Sequence, residues 1–101
     1  MPASAKAYIV VELDVFDPAS FQQYRTEVEP IILSYGGRYL VRGGETVPLE
    51  GDAPLPRIIL LEFPDLAAAR NFMDSEEYQP VATIRHQSAH SRIYMVEGYN
   101  P

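Results

Sequence analysis

The chain has no cysteine, so disulfides, zinc–thiolate centres and cysteine nucleophiles are excluded at once. Positive charge is scarce too: eight arginines and lysines stand against fourteen carboxylates, for a net charge of −6. That balance repels nucleic acid and anionic lipid unless the cations cluster. In sequence they are scattered, as Lys6, Arg25, Arg38, Arg42, Arg57, Arg70, Arg85 and Arg92, and no nucleic-acid partner is expected. Long apolar runs are missing. The opening MPASAKAYIVV carries one lysine and is soon interrupted by Glu12, which suits neither a signal peptide nor a membrane span. The expectation is a cytoplasmic protein with no membrane partner. Nucleotide and nucleophile signatures are absent as well. GGRYLVRGG lacks both GxGxxG spacing and a Walker lysine–threonine pair. Ser34, Ser75, Ser88 and Ser91 sit in no nucleophile elbow.

What is present is patterned. A length of 101 residues reads as one domain, 1–101, with a core of modest size. RIILLEF (57–63) is apolar on both alternating faces, as expected of a strand in the middle of a sheet. Residues 5–15 alternate: Ala7, Ile9, Val11, Leu13 and Val15 make an aliphatic face, and Tyr8, Val10, Glu12 and Asp14 a mixed one. Asp17-Pro18 opens a helix as cap and first position. Its apolar stripe runs Phe21, Tyr24, Val28, Ile31, Ile32, Tyr35, with a kink expected at Pro30 and a stop at Gly36-Gly37. RYLVR (38–42) is a short strand. Residues 43–56, with three glycines and three prolines, form a long loop or loose hairpin arm, functional or an aid to assembly. Pro64-Asp65 caps a helix over LAAARNFMDS, and Ser75 restarts one whose face carries Tyr78, Val81, Arg85 and Ala89. RIYMVE (92–97) is the last strand.

Strand, helix, strand, strand, helix, strand, joined by right-handed crossovers, gives a ferredoxin-like α+β fold. Its four-stranded antiparallel sheet is ordered 4-1-3-2, with the helices on one face. The other face then carries Tyr8, Val10, Ile58 and Leu60, with Leu40 and either Tyr94 or Met95. An apolar patch of that kind is uncommon on a soluble monomer. Two sheets packed about a two-fold axis would cover it, burying roughly 1,000–2,000 Å², so a homodimer through the open face is expected. A hydrophobic ligand lying on that face is the alternative.

One series of motifs resembles a known family. YGGRYLVRGG (35–44), Glu50-Gly51, RIILLEFPD (57–65), DSEEYQP (74–80), Arg85 and the closing VEG (96–98) are similar to the DUF1330 family over nearly the whole chain. The resemblance implies the dimeric α+β barrel superfamily, with its ferredoxin-like protomer and sheet-to-sheet dimer. It implies no reaction. Relatives in the superfamily include cofactor-free monooxygenases, isomerases, haem-degrading enzymes and ligand-binding modules, and fold analogy does not choose among them.

Connectivity points to a candidate site. Strand one ends at Glu12 and Asp14, where the antiparallel strands three and four begin with Arg57 and Arg92; Arg42, Arg85, His86 and His90 are delivered to the same end. All should crowd one rim beside the 43–56 loop. A pocket there would bind a small anionic or aromatic molecule through Arg42, Arg57 and Arg85, whose planar forks meet a carboxylate in bidentate geometry, with Tyr8 beside them. If the protein is an enzyme, it is a cofactor-independent monooxygenase- or isomerase-like one acting on a small carbonyl or aromatic acid. Tyr8, Tyr78 or Tyr94 would then supply a phenol, and His86 or Glu12 a base. The structural alternative is that Arg57 and Arg92 make cross-strand ion pairs with Glu12 and Asp14, while Arg85 and His86 complement a helix C-terminus. His86 and His90, four apart, could share a helix face, but no third ligand or intervening glutamate accompanies them, so no metal and no cofactor is expected.

Overall fold

The computed structural model describes residues 5–100. The first four residues, part of the amino-terminal stretch read above, and Pro101 lie outside that range. Seven elements follow one another: β1 (Ala7–Val15), α1 (Pro18–Ser34), β2 (Arg38–Arg42), β3 (Arg57–Phe63), α2 (Leu66–Asp74), α3 (Tyr78–Ser88) and β4 (Ala89–Glu97). The sheet is antiparallel and ordered β2-β3-β1-β4, the ferredoxin-like arrangement expected from connectivity.

Alternation in β1 decides which face is covered. Ala7, Ile9, Val11 and Leu13 are buried on the helix side with Leu61 and Phe63 of β3. The core they share with Phe21, Ile32 and Phe72 is the only continuous apolar interior among the described residues. Tyr8, Val10, Ile58 and Leu60 point the other way and are half-buried. On β4 it is Tyr94, opposite Val10, that joins this open face; Met95, opposite Ile9, packs on the core.

The helix ends follow capping chemistry. The Asp17 carboxylate accepts hydrogen bonds from the Ser20 amide at 3.3 Å and the Ser20 hydroxyl at 2.8 Å, which hold its pKa below the ordinary value. α1 runs through Pro30 and closes with the Gly37 amide bonded to the Ile32 carbonyl and the Gly36 amide to that of Leu33. Gly36 takes φ +83°, the left-handed turn this stop requires. Asp65 caps α2 by accepting from the Ala68 amide at 2.8 Å, and the Ser75 hydroxyl accepts from the Tyr78 amide at the start of α3.

Two expectations are corrected. β1 begins at Ala7 rather than residue 5. More consequentially, α3 stops at Ser88, and Ala89 and His90 belong to β4, opposite Val15 and Asp14. The Ser88 hydroxyl folds back on the Ile84 carbonyl at 2.7 Å, while its carbonyl accepts from the Phe16 and Asp17 amides. Pairing with the end of β1 therefore outweighs the helical pattern that the sequence shows over Tyr78, Val81, Arg85 and Ala89. His86 and His90 do not share a helix face. The His90 ring lies 5.0 Å from that of Phe16, and no group of metal-ligating side chains occurs among the described residues.

β2 holds the feature that matters most for the site. Tyr39 pairs with Leu61 and Val41 with Leu60, so Leu40 is an extra residue in the edge strand, a β-bulge. Alternation resumes one residue out of phase. Arg42, opposite Ile59, consequently faces the helices together with Tyr39, three residues before it.

Candidate functional site

α1 leans on α3 and stands off the β2–β3 half of the sheet. The gap is a cavity of about 170 Å³. Its walls are Phe21, Tyr24 and Val28 of α1 and Tyr39 and Ile59 of the sheet, and its mouth carries Arg25, Arg42 and Arg57. A smaller apolar extension continues inward between Tyr24, Tyr39 and Ile59 toward Val11 and Leu61. The volume is well below the roughly 300–1,000 Å³ of sites for drug-sized molecules, which limits an occupant to one ring or a short chain.

The mouth is strongly cationic for so acidic a protein. Three of its eight basic residues meet there, and no carboxylate or imidazole lines this cavity. Only Arg42 is paired, through a 3.0 Å contact with Glu29. The Arg25 and Arg57 side chains form no hydrogen bond or ion pair with any described residue. Instead the Arg57 guanidinium lies over the Phe21 ring at 5.5 Å and that of Arg42 over Tyr39 at 4.6 Å, positions that leave the donor edges open. Gly43, at φ +77°, turns the chain out of β2 directly beside the Arg57 stem.

Behind the inner wall runs a chain of polar groups. The hydroxyls of Tyr24 and Tyr78 are 3.1 Å apart. Arg85, 5% exposed, donates through Nε to the Tyr78 hydroxyl at 3.4 Å and through Nη1 to the Ser91 hydroxyl. No carboxylate pairs with this buried guanidinium among the described residues. Its Nη2 lies 3.3 Å from His86 Nε2. Arginine has no lone pair to offer, so His86 must accept there and carry its proton on Nδ1. Burial, reinforced by the neighbouring Tyr78, pushes the Tyr24 phenol well above the ordinary tyrosine range. Burial likewise raises the Tyr39 phenol. Both are therefore hydrogen-bond donors at neutral pH.

The residues singled out from sequence are distributed over both faces. Arg42 and Arg57 meet at the cavity mouth, and Arg85 and Tyr78 lie behind its wall. His86 is exposed and turned to Arg85 rather than to the cavity. Glu12 belongs to the open face, where its carboxylate accepts from the Leu55 amide at 3.1 Å and the Tyr94 hydroxyl at 3.3 Å and sits 3.7 Å from Arg92. It anchors the end of the 43–56 loop against the sheet. The cross-strand pair anticipated for Arg92 is thus present, and that for Arg57 is not. Tyr8, opposite Glu62 and Val96, lies on the open face near the far end of the strands. Sheet connectivity brings all but Tyr8 to one end, but strand alternation puts Glu12, His90 and Arg92 on the other face from Arg42 and Arg57. Asp14 lines a neighbouring cavity of about 290 Å³ together with Gly43 and Arg57. Arg25, Tyr24 and Tyr39 were missed. The signal for Arg25 was there, since it lies four residues after Phe21 on the same helical face.

A family model described as "Domain of unknown function (DUF1330)" matches residues 6–99. The chain belongs to the DUF1330 family. No curated protein matches it. Among solved structures, this DUF1330 chain is similar to the RPA0582 protein of unknown function from Rhodopseudomonas palustris, at 14% identity and a TM-score of 0.77, over 97% of this chain and 85% of that one. SnoaB, a cofactor-independent oxygenase from Streptomyces nogalater, matches at 16% identity and TM-score 0.65, over 97% of each chain. A hypothetical Arabidopsis thaliana protein, AT3G17210, matches at 13% identity and TM-score 0.67, over 100% of this chain and 95% of that one. At such identities the likeness is one of fold. No described helix is long and apolar enough to cross a membrane.

Proposed function

We propose that this DUF1330 protein binds a small anionic molecule with one ring or a short apolar body in the cavity between α1 and the β2–β3 half of the sheet. The observation that carries the reading is the mouth: among the described residues the Arg25 and Arg57 side chains are unpaired, Arg42 is beside them, and no acid lines the cavity of a chain with net charge −6. Unpaired guanidinium forks at the rim of an aromatic-walled slot suit a carboxylate whose body enters the slot. The protein works as a homodimer in this reading, its second copy covering Val10, Ile58, Leu60 and the exposed Leu40, Val41 and Tyr94 of the open face. Benzoate and benzyl alcohol test the ligand class. In an NMR titration benzoate should move amide resonances of Arg25, Arg42, Gly43 and Arg57, and the alcohol should not. Equal shifts from both, or none from either, overturn the reading.

A second reading, a cofactor-independent enzyme, has the fold likeness to SnoaB in its favour. Binding is preferred because no described carboxylate or imidazole lines the cavity behind Arg25, Arg42 and Arg57, and proton abstraction requires a base within hydrogen-bond reach of substrate.

A further inference from the structure

The polar chain behind the cavity wall says more about the occupant than the mouth does. Tyr78 is 2% exposed and its hydroxyl has two described partners, Arg85 Nε and the Tyr24 hydroxyl. Arginine only donates, so Arg85 occupies a lone pair of Tyr78. The Tyr78 proton then has one acceptor within reach, the Tyr24 oxygen. The opposite orientation, Tyr24 donating to Tyr78, would leave the Tyr78 O–H buried without an acceptor, which folded proteins avoid. Direction is thereby set along the row: Arg85 to Tyr78, Tyr78 to Tyr24, and the Tyr24 proton free for an acceptor in the cavity that Tyr24 lines. A buried cation at the head of such a row polarises each O–H in turn and strengthens the last donor.

We propose that Tyr24 is a specificity-determining donor, directed by Arg85 through Tyr78, and that the ligand carries a second oxygen acceptor, a carbonyl or phenolate, at the end of its body opposite the carboxylate. The assignment rests on the reading of the cavity as a site for carboxylate-bearing molecules and narrows it to keto or hydroxy acids of roughly single-ring length. It also gives a role to a guanidinium that is buried without a counter-charge among the described residues, an arrangement that costs stability. Simple monofunctional acids would fill the slot but leave the Tyr24 proton without an acceptor.

The experiment compares 4-acetylbenzoate with 4-isopropylbenzoate, which share the carboxylate, the ring and nearly the same shape, but only the first has an acceptor at the far end. By calorimetry the ketone should bind the wild-type protein about tenfold more tightly, the effect of one satisfied rather than orphaned hydrogen bond. Tyr24→Phe should abolish that preference while still binding 4-isopropylbenzoate, and Arg85→Met should reduce the preference without touching the mouth. A second readout needs no variant: the ketone stretch of bound 4-acetylbenzoate should move to lower wavenumber in the infrared spectrum of the wild-type complex. Equal affinity of the two acids with an unshifted carbonyl overturns the assignment and leaves carboxylate binding standing. Absence of binding by either acid overturns both.

Discussion

Replacing Arg57 by alanine separates a binding role from a structural one, because the two predict opposite balances of effect. In the fold the Arg57 head makes no ion pair and no hydrogen bond with any described residue; it lies 5.5 Å over the Phe21 ring, with its stem along Gly43. A partly exposed cation–π contact is worth about 0.5–1 kcal/mol, which for a chain of this size lowers Tm by roughly 4–8 °C or less. A carboxylate in the mouth, by contrast, would lose a charge-assisted hydrogen bond worth about 1.5–3 kcal/mol, or roughly 10- to 150-fold in Kd. Arg57→Lys keeps the charge but not the fork and should fall between. Thermal melts and calorimetry with benzoate on the same preparations give both numbers, and raising the salt concentration should narrow the gap between wild type and Arg57→Ala as the exposed charges are screened. A large fall in Tm with unchanged benzoate affinity would refute the reasoning, making Arg57 a structural residue and the cationic mouth incidental.

The open face and the buried phenols give two further tests. Leu60→Glu, which puts a charge between Val10 and Val41 on that face, should turn the proposed dimer into the 11.4 kDa monomer in sedimentation velocity; a wild-type protein that already sediments as a monomer would remove the proposed interface. At high pH, Tyr24 has a folded pKa raised above its unfolded value by burial, so its contribution is intact below about pH 10 and lost as the pH climbs from there toward the folded pKa. Denaturant titrations should therefore show stability falling above about pH 10, and Tyr24→Phe should flatten that decline; a wild-type profile that stays level to pH 11.5 would count against a buried, protonated Tyr24.

Most of the architecture was legible because burial imposes period and punctuation. The two-sided aliphatic run of β3 marked the middle of the sheet, and Asp17-Pro18, Gly36-Gly37 and Pro64-Asp65 marked helix boundaries through capping chemistry local to a few residues. The α3–β4 junction was not legible, since Ala89 and His90 continue a helical pattern until the end of β1 claims them as partners. Nor was the division of the site. Sequence and connectivity place Arg42, Arg57, Glu12 and Arg92 at one end of the sheet, but which face each side chain takes depends on register, and in β2 the register depends on a bulge with no signature in RYLVR. The row Arg85–Tyr78–Tyr24 was hidden for a different reason. It joins two helices through tyrosines 54 residues apart in the chain, and each tyrosine, taken singly, looks like ordinary packing.

Leu40 carries a burden out of proportion to its exposed position. By adding one step to an edge strand it sends Val41 to the side where another molecule of the protein would lie and Arg42 to the side where a ligand would enter. Regular pairing of the same residues, without the bulge, would set Val41 opposite Ile59 and Arg42 opposite Ile58 and so exchange them, taking a cation out of the entrance and placing it on the open face. The proposed ligand site and the proposed dimer face thus depend on the same backbone irregularity, and a change of register in this strand would disturb both.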